Sequence, residues 1–117
     1  MNTRKVGQYY EDKAVEYLGQ QDYKVIERNY RCRYGEIDII ARDQEYLVFI
    51  EVKYRRSDSS GNAVSAVNFH KQNKISGVAA WYMMKNKLSE DTKCRFDVVS
   101  IEPGEIKVIK DAFDYIN

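Results

Sequence analysis

Asp38, Glu51 and Lys53 are the residues whose types and spacing could do chemistry in this chain. They fall in two alternating runs, Gly35-Glu36-Ile37-Asp38-Ile39-Ile40 and Phe49-Ile50-Glu51-Val52-Lys53, each of which reads as a β-strand. Both put charge on a face where a small domain ordinarily puts apolar side chains. Paired antiparallel around a loop from Asp43 to Tyr46, the strands set Asp38 opposite Glu51, Glu36 opposite Lys53 and Ile40 opposite Phe49. Ile37, Ile39, Val48, Ile50 and Val52 then point to the other face and into the core. Directly opposed carboxylates destabilise a strand pair unless something positive stands between them. A divalent cation removes that repulsion. Mg²⁺, with Mn²⁺ as a substitute, suits a few carboxylates, one backbone carbonyl such as that of Val52, and several waters shared with a substrate phosphate. Lys53 would orient an attacking water or stabilise charge on phosphoryl oxygens. The plainer alternative is a solvent-facing strand pair with cross-strand ion pairs that contribute little.

Other residues add to this constellation with less specificity. Glu11 shares a helical stripe with Ala14, Val15 and Leu18, so a carboxylate stands where a core residue is expected. It reads either as a third metal-site carboxylate or as a stripe-edge residue reaching for water. Lys71 lies four residues from both Val67 and Ile75, which puts a cation on another inward stripe. Together with Lys74, Arg31, Arg33, Arg55 and Arg56 it offers phosphate contacts, although each taken singly is an ordinary solvated charge. Tyr9, Tyr10, Tyr34 and Tyr54 are of a type that stacks on bases, yet aromatics at such positions more often serve as core or rim. Asp97 offers a further catalytic carboxylate, but reads first as a strand-end hydrogen-bonding residue or a partner for Arg95. His70 is the sole histidine, so Ser/His or Cys/His catalysis has almost nothing to build on.

These side chains need elements to position them. Thr3 is placed to cap a helix running to about Gln20, with Val6, Tyr10, Ala14, Tyr17 and Leu18 on one stripe. A short strand follows over Tyr23 to Asn29, then a basic connection through Arg31 and Arg33. The two charged strands cover Glu36 to Arg42 and Leu47 to Tyr54. A polar, Ser-rich mobile loop is expected from Arg55 to Gly61, and one long helix from about Ser65 to Lys87. Arg95 to Ile101 and Glu105 to Ile109 form two more strands across a Pro103-Gly104 turn. A C-terminal turn with Phe113, Tyr115 and Ile116 covers an open edge. This order predicts an α/β sandwich, a mixed central sheet with helices on its faces.

At 117 residues the chain supports one domain with one core. A net charge of +1 excludes a polycation that coats nucleic acid at large, so any polyanion site is a local patch. Cys32 and Cys94 lack metal-ligand spacing and fit reduced thiols of a cytoplasmic protein. No segment approaches the length of an apolar membrane span, and no secretion signal is expected.

A helix carboxylate followed by Asp and then Glu-Xaa-Lys on a hairpin resembles the PD-(D/E)xK nuclease superfamily. The fuller pattern is more specific. Gly7 to Ala14, Arg28-Asn29-Tyr30-Arg31-Cys32-Arg33, Gly35 to Ala41, Val48 to Lys53, Lys71-Gln72 and Arg95-Phe96-Asp97-Val98-Val99 resemble the YraN family of small bacterial proteins over nearly the whole chain. Ile37 stands where the superfamily's nominal Pro would be. The resemblance implies a restriction-endonuclease-like fold similar to archaeal Holliday-junction resolvases, which cut branched DNA as dimers. It also implies Glu11, Asp38 and Glu51 as metal-site carboxylates and Lys53 as the catalytic cation. The expectation is a Mg²⁺-dependent DNA endonuclease. A silent nucleic-acid-binding or adaptor module of the same fold, and an interaction domain without nucleic acid, are its alternatives.

Overall fold

A computed structural model describes residues 3–55 and 67–117. Helix α1 (Thr3–Gln20) leads into strands β1 (Lys24–Cys32), β2 (Gly35–Asp43) and β3 (Tyr46–Tyr54), followed by helix α2 (Phe69–Lys85) and strands β4 (Cys94–Glu102) and β5 (Glu105–Phe113). The five strands form one sheet in the order β1-β2-β3-β4-β5. All neighbours are antiparallel except β3 and β4, which run parallel and are joined through α2. The sheet is therefore mixed. With α1 on one face and α2 on the other, it is the restriction-endonuclease-like sandwich that the sequence implied.

The central strands are apolar on both faces because both faces are covered. On the α1 side Ala14 and Leu18 pack on Ile39, Ala41, Val48, Ile50 and Val99. On the α2 side Val78 and Tyr82 pack on Ile37, Ile40, Phe49 and Val98. Asp43 pairs with Tyr46, so the β2–β3 turn narrows to Gln44 and Glu45, with Gln44 left-handed at φ 55°. The Pro103-Gly104 turn forms as expected, Gly104 taking φ 76°.

Several boundaries move. Strand β1 continues through Arg31, which the sequence assigned to a connection, because an edge strand presents few apolar residues to mark its length. Helix α2 starts at Phe69 rather than near Ser65, capped by the Asn68 side chain accepting from the Lys71 N–H at 2.9 Å. It ends at Lys85, before a left-handed Lys87 at φ 53°. Phe113 belongs to β5, where it stacks on Phe96, and the tail runs to α2, Ile116 N–H donating to Ser76 Oγ at 3.0 Å. Strand β5 is itself an edge of the sheet. Arg56, most of the expected loop to Gly61 and the expected helix start at Ser65 lie outside the described residues.

Candidate active site

The expected register of β2 and β3 holds from Asp43 and Tyr46 through Ile40↔Phe49 to Ile39↔Ile50, and the ladder stops there. Asp38 is not a ladder partner of Glu51. Instead Asp38 Oδ2 accepts a hydrogen bond from the Val52 backbone N–H at 2.8 Å, while β3 continues along β4 through Glu51↔Val98 and Lys53↔Ser100. The hairpin opens at Asp38.

The cause lies in β1. Asn29 has left-handed backbone at φ 53°, which Asn tolerates better than most residues. Before it Arg28 faces α1, ion-pairing with Asp12 and with Glu11 at 3.5 Å; after it Tyr30 packs on the α2 side. Strand β2 reverses in step. Ile39 packs toward α1 and Ile37 toward α2, although residues two apart on a regular strand share a face. The pairs Arg28↔Ile39 and Tyr30↔Ile37 stay in register on either side of the kink. Ile37 and Ile39 were expected on one face, and this double reversal is what separates them. It also takes Glu36 away from Lys53: Glu36 pairs across β1 with Arg31.

Both helices reach the opening. Glu11, on the buried stripe of α1 with its side chain only 13% exposed, lines one cavity of about 190 Å³ with Asp38 and Val52. From α2, Lys71 Nζ lies 3.1 Å from Glu51 Oε2, and Lys53 Nζ lies 3.8 Å from the same oxygen. Glu51 is buried. Burial, and then the hydrogen bond and charge of Glu51, raise the Asp38 carboxyl far above the usual carboxylate range, against the Val52 N–H and Lys71. Burial and the Asp38 charge also raise Glu11, opposed by Asn29 and Arg28. Burial disfavours the Lys71 charge, but Glu51, Asp38 and Glu36 together lift it. The Asp38 and Glu11 carboxyls thus both resist ionisation, each raised by burial and by a neighbouring carboxylate.

Buried polar atoms are normally satisfied; two carboxylate oxygens here are not, and neither is Arg28 Nε. Glu11 Oε1 and Glu51 Oε2 have ion-pair neighbours but no aligned hydrogen bond among the described residues. Beside the Asp38 carboxyl that Glu51 raises, they fit a Mg²⁺-type site, which needs one or two carboxylates and otherwise keeps waters. No three acidic, His or Cys side chains converge as a ready-made cage among the described residues. Glu11 stands back from the pair, held by Arg28.

A model of the family described as "Uncharacterised protein family UPF0102" matches residues 10–101. The chain belongs to UPF0102. A UPF0102 protein of Lachnoclostridium phytofermentans is 48% identical over 114 residues, covering 97% of either chain. One from Fusobacterium nucleatum is 46% identical over 110 residues, 94% of this chain and 92% of its own. UPF0102 is the YraN-like, PD-(D/E)xK nuclease-like family that the sequence resembles. The UPF0102 match includes Glu11, Asp38, Glu51, Lys53 and Lys71.

The remaining sequence candidates separate. In this UPF0102 chain Arg31 is committed to Glu36, and Arg33 lies over the Tyr34 ring at 5.5 Å. Arg55 holds the end of β3 to β4 through its N–H on Ile101 O, and Lys74 is exposed. Asp97 is fully buried away from the opening. It accepts from Tyr23 Oη at 2.6 Å, from Arg95 Nε and Nη2 at 2.8 Å and from the Asp111 N–H at 2.9 Å, while Arg95 also reaches Asp43 at 2.8 Å. That network staples the α1 end to β2, β4 and β5, as its expected pairing with Arg95 suggested. Asn29 was missed as a site residue. Its signal was an Asn inside a strand pattern, the non-glycine type most tolerant of left-handed backbone.

Proposed function

We propose that this chain is a Mg²⁺-dependent endonuclease that hydrolyses DNA phosphodiester bonds, with selectivity for branched or otherwise structured DNA. The observation that carries the reading is the opening at Asp38, where a carboxyl raised by burial and by Glu51, the unsatisfied Glu51 Oε2 and two lysines meet, with Glu11 lining the same cavity as Asp38. Asp38, Glu51 and the Val52 carbonyl would hold the cation, with Glu11 reaching a bound water. Mn²⁺ would substitute for Mg²⁺. When bound, the ion supplies a water of lowered pKa and neutralises charge on the phosphate.

The chain's own residues do the rest. The Val52 N–H fixes one oxygen of Asp38, so the carboxylate is aimed before substrate arrives. Lys53, two residues beyond Glu51 on the same face, offers its ammonium to the water or to the developing phosphoryl charge. Lys71, released from Glu51, contacts a neighbouring phosphate. The resemblance to junction resolvases extends the reading to a homodimer.

Cleavage of a panel of linear, flapped and four-way DNA with Mg²⁺ and Mn²⁺ tests it. Wild-type protein cuts at least one member and Lys53→Ala, still folded, cuts none; a wild-type protein inert on the whole panel sinks the reading.

One observation favours a second reading, a nucleic-acid-binding or adaptor module that hydrolyses nothing. Lys71 already places a protein cation 3.1 Å from Glu51, which balances the carboxylates without a metal. Thermal stability unmoved by either Mg²⁺ or Mn²⁺ would favour that module.

A further inference from the structure

We propose that Tyr9, Tyr10 and Tyr54 form a stacking shelf for an unpaired base of the DNA strand whose phosphate lies at Asp38 and Glu51, an inference that rests on the nuclease reading above. Tyr54 closes β3, two residues beyond Val52, and its ring stacks on Tyr10 of α1 with centroids 3.6 Å apart and planes 15° from parallel. Tyr9 meets Tyr10 edge-on at 5.0 Å and 85°. Core aromatics hide their rings, but Tyr9 is 54% and Tyr54 36% exposed. They surface beside the carboxylates. Tyr10 and Tyr54 line the same cavity of about 190 Å³ as Asp38 and Glu11, and Tyr10 with Val6 continues into a second of about 440 Å³ that Tyr9 and Lys5 complete.

Along the start of α1 the charge suits a nucleotide rather than an apolar peptide, while Glu102 and Glu105 border Tyr9, Tyr10 and Lys13 on the side toward β5. The first turn of α1 carries no acidic residue and holds Arg4 and Lys5, and Lys13 Nζ lies 5.5 Å over the Tyr9 ring. Aromatic rings next to a cationic track are how proteins hold single strands irrespective of sequence, since every base has a π-face. Bases inside a continuous duplex are stacked on each other and cannot reach the rings. Selection of substrate follows: strands with unpaired nucleotides next to the cut phosphate are favoured over uninterrupted duplex.

The test is binding in EDTA, where metal-dependent cleavage is absent, using fluorescence anisotropy of a thymidine oligonucleotide and an abasic strand of equal length, about twelve nucleotides. Wild-type protein binds the base-bearing strand roughly tenfold tighter than the abasic one. Tyr9→Ala and Tyr54→Ala each reduce that preference, and Tyr54→Trp retains it. If loss of the Tyr10 stack unfolds Tyr54→Ala, the exposed Tyr9 carries the test alone. Equal affinity of wild type for both strands, binding to neither, or a preference unchanged in the variants overturns the shelf. A base preference without cleavage of any DNA keeps the shelf and sinks the nuclease; cleavage with no base preference does the reverse.

Discussion

Asn29 and Asp38 occupy matching positions in β1 and β2, between the Arg28↔Ile39 and Tyr30↔Ile37 pairs, and both strands reverse their side-chain alternation there. The left-handed Asn29 lets β1 turn over without losing register. Replacement by a β-branched residue should therefore cost about 1–3 kcal/mol, the range for non-glycine strain. Asn29→Val is expected to lower the unfolding free energy by that amount in urea denaturation. Asn29→Gly keeps the backbone and loses only the amide that opposes the rise of Glu11, so its cost is smaller.

The Asp38 carboxyl favours its protonated form in the folded chain, because burial and Glu51 raise it. The sign follows directly. Its contribution to stability is complete below the unfolded carboxylate range near pH 4 and is lost as pH rises through the elevated folded value. Without divalent cations, Asp38→Asn is expected to melt above wild type at pH 8 and to converge with it near pH 4. Asn still offers an oxygen to the Val52 N–H. Equal melting temperatures at pH 8 would show that Asp38 is not raised.

Two variants separate holding a cation from using it. Mg²⁺ at a hundred times its Kd should stabilise wild type by about 2.7 kcal/mol. Glu51→Gln should abolish that gain in a thermal melt, whereas Lys53→Ala should keep it while losing cleavage. Loss of the gain in both variants would make Lys53 part of the binding site.

Lys71 competes for the oxygen that a cation would use. Lys71→Ala is expected to tighten Mn²⁺ binding at least about fivefold by calorimetry, since even in water unit charges ~4 Å apart interact by about 1 kcal/mol. Affinity for DNA should fall in the same variant.

At the other end of the sheet, Arg95→Ala leaves the wholly buried Asp97 without its guanidinium. Breaking a buried pair from one side costs about 3–5 kcal/mol, and urea unfolding should read a loss of that size. Cleavage per folded molecule should be unchanged, because the staple does not touch the opening.

The strands that face two helices were legible, because Ile39 to Ala41 and Leu47 to Ile50 alternate or run apolar as buried strands must. The turn register followed from the same pattern. Simple alternation extended past Ile39 produced Asp38 opposite Glu51, and there it failed, because a strand kink leaves the residue types unchanged while reversing their faces. The edge strands were underread for another reason. Arg31 and Lys110 lie in strands whose solvent sides carry little apolar signal. Glu11 was legible as a carboxylate on a buried stripe, while its hold by Arg28 was not, since no local rule pairs a helix residue with a strand so far along the chain.

The parallel pairing of β3 with β4 has a consequence for the order of assembly. Leu47 meets Cys94 only after all of α2 has been made, and a parallel contact of such sequence separation is slow to close. Glu11, Asp38, Glu51 and Lys53 all precede α2 in the chain. A polypeptide growing from its N-terminus therefore carries every acidic residue of the opening before the strand that seats Glu51 exists, and the last third of the sequence sets the time at which the site becomes competent.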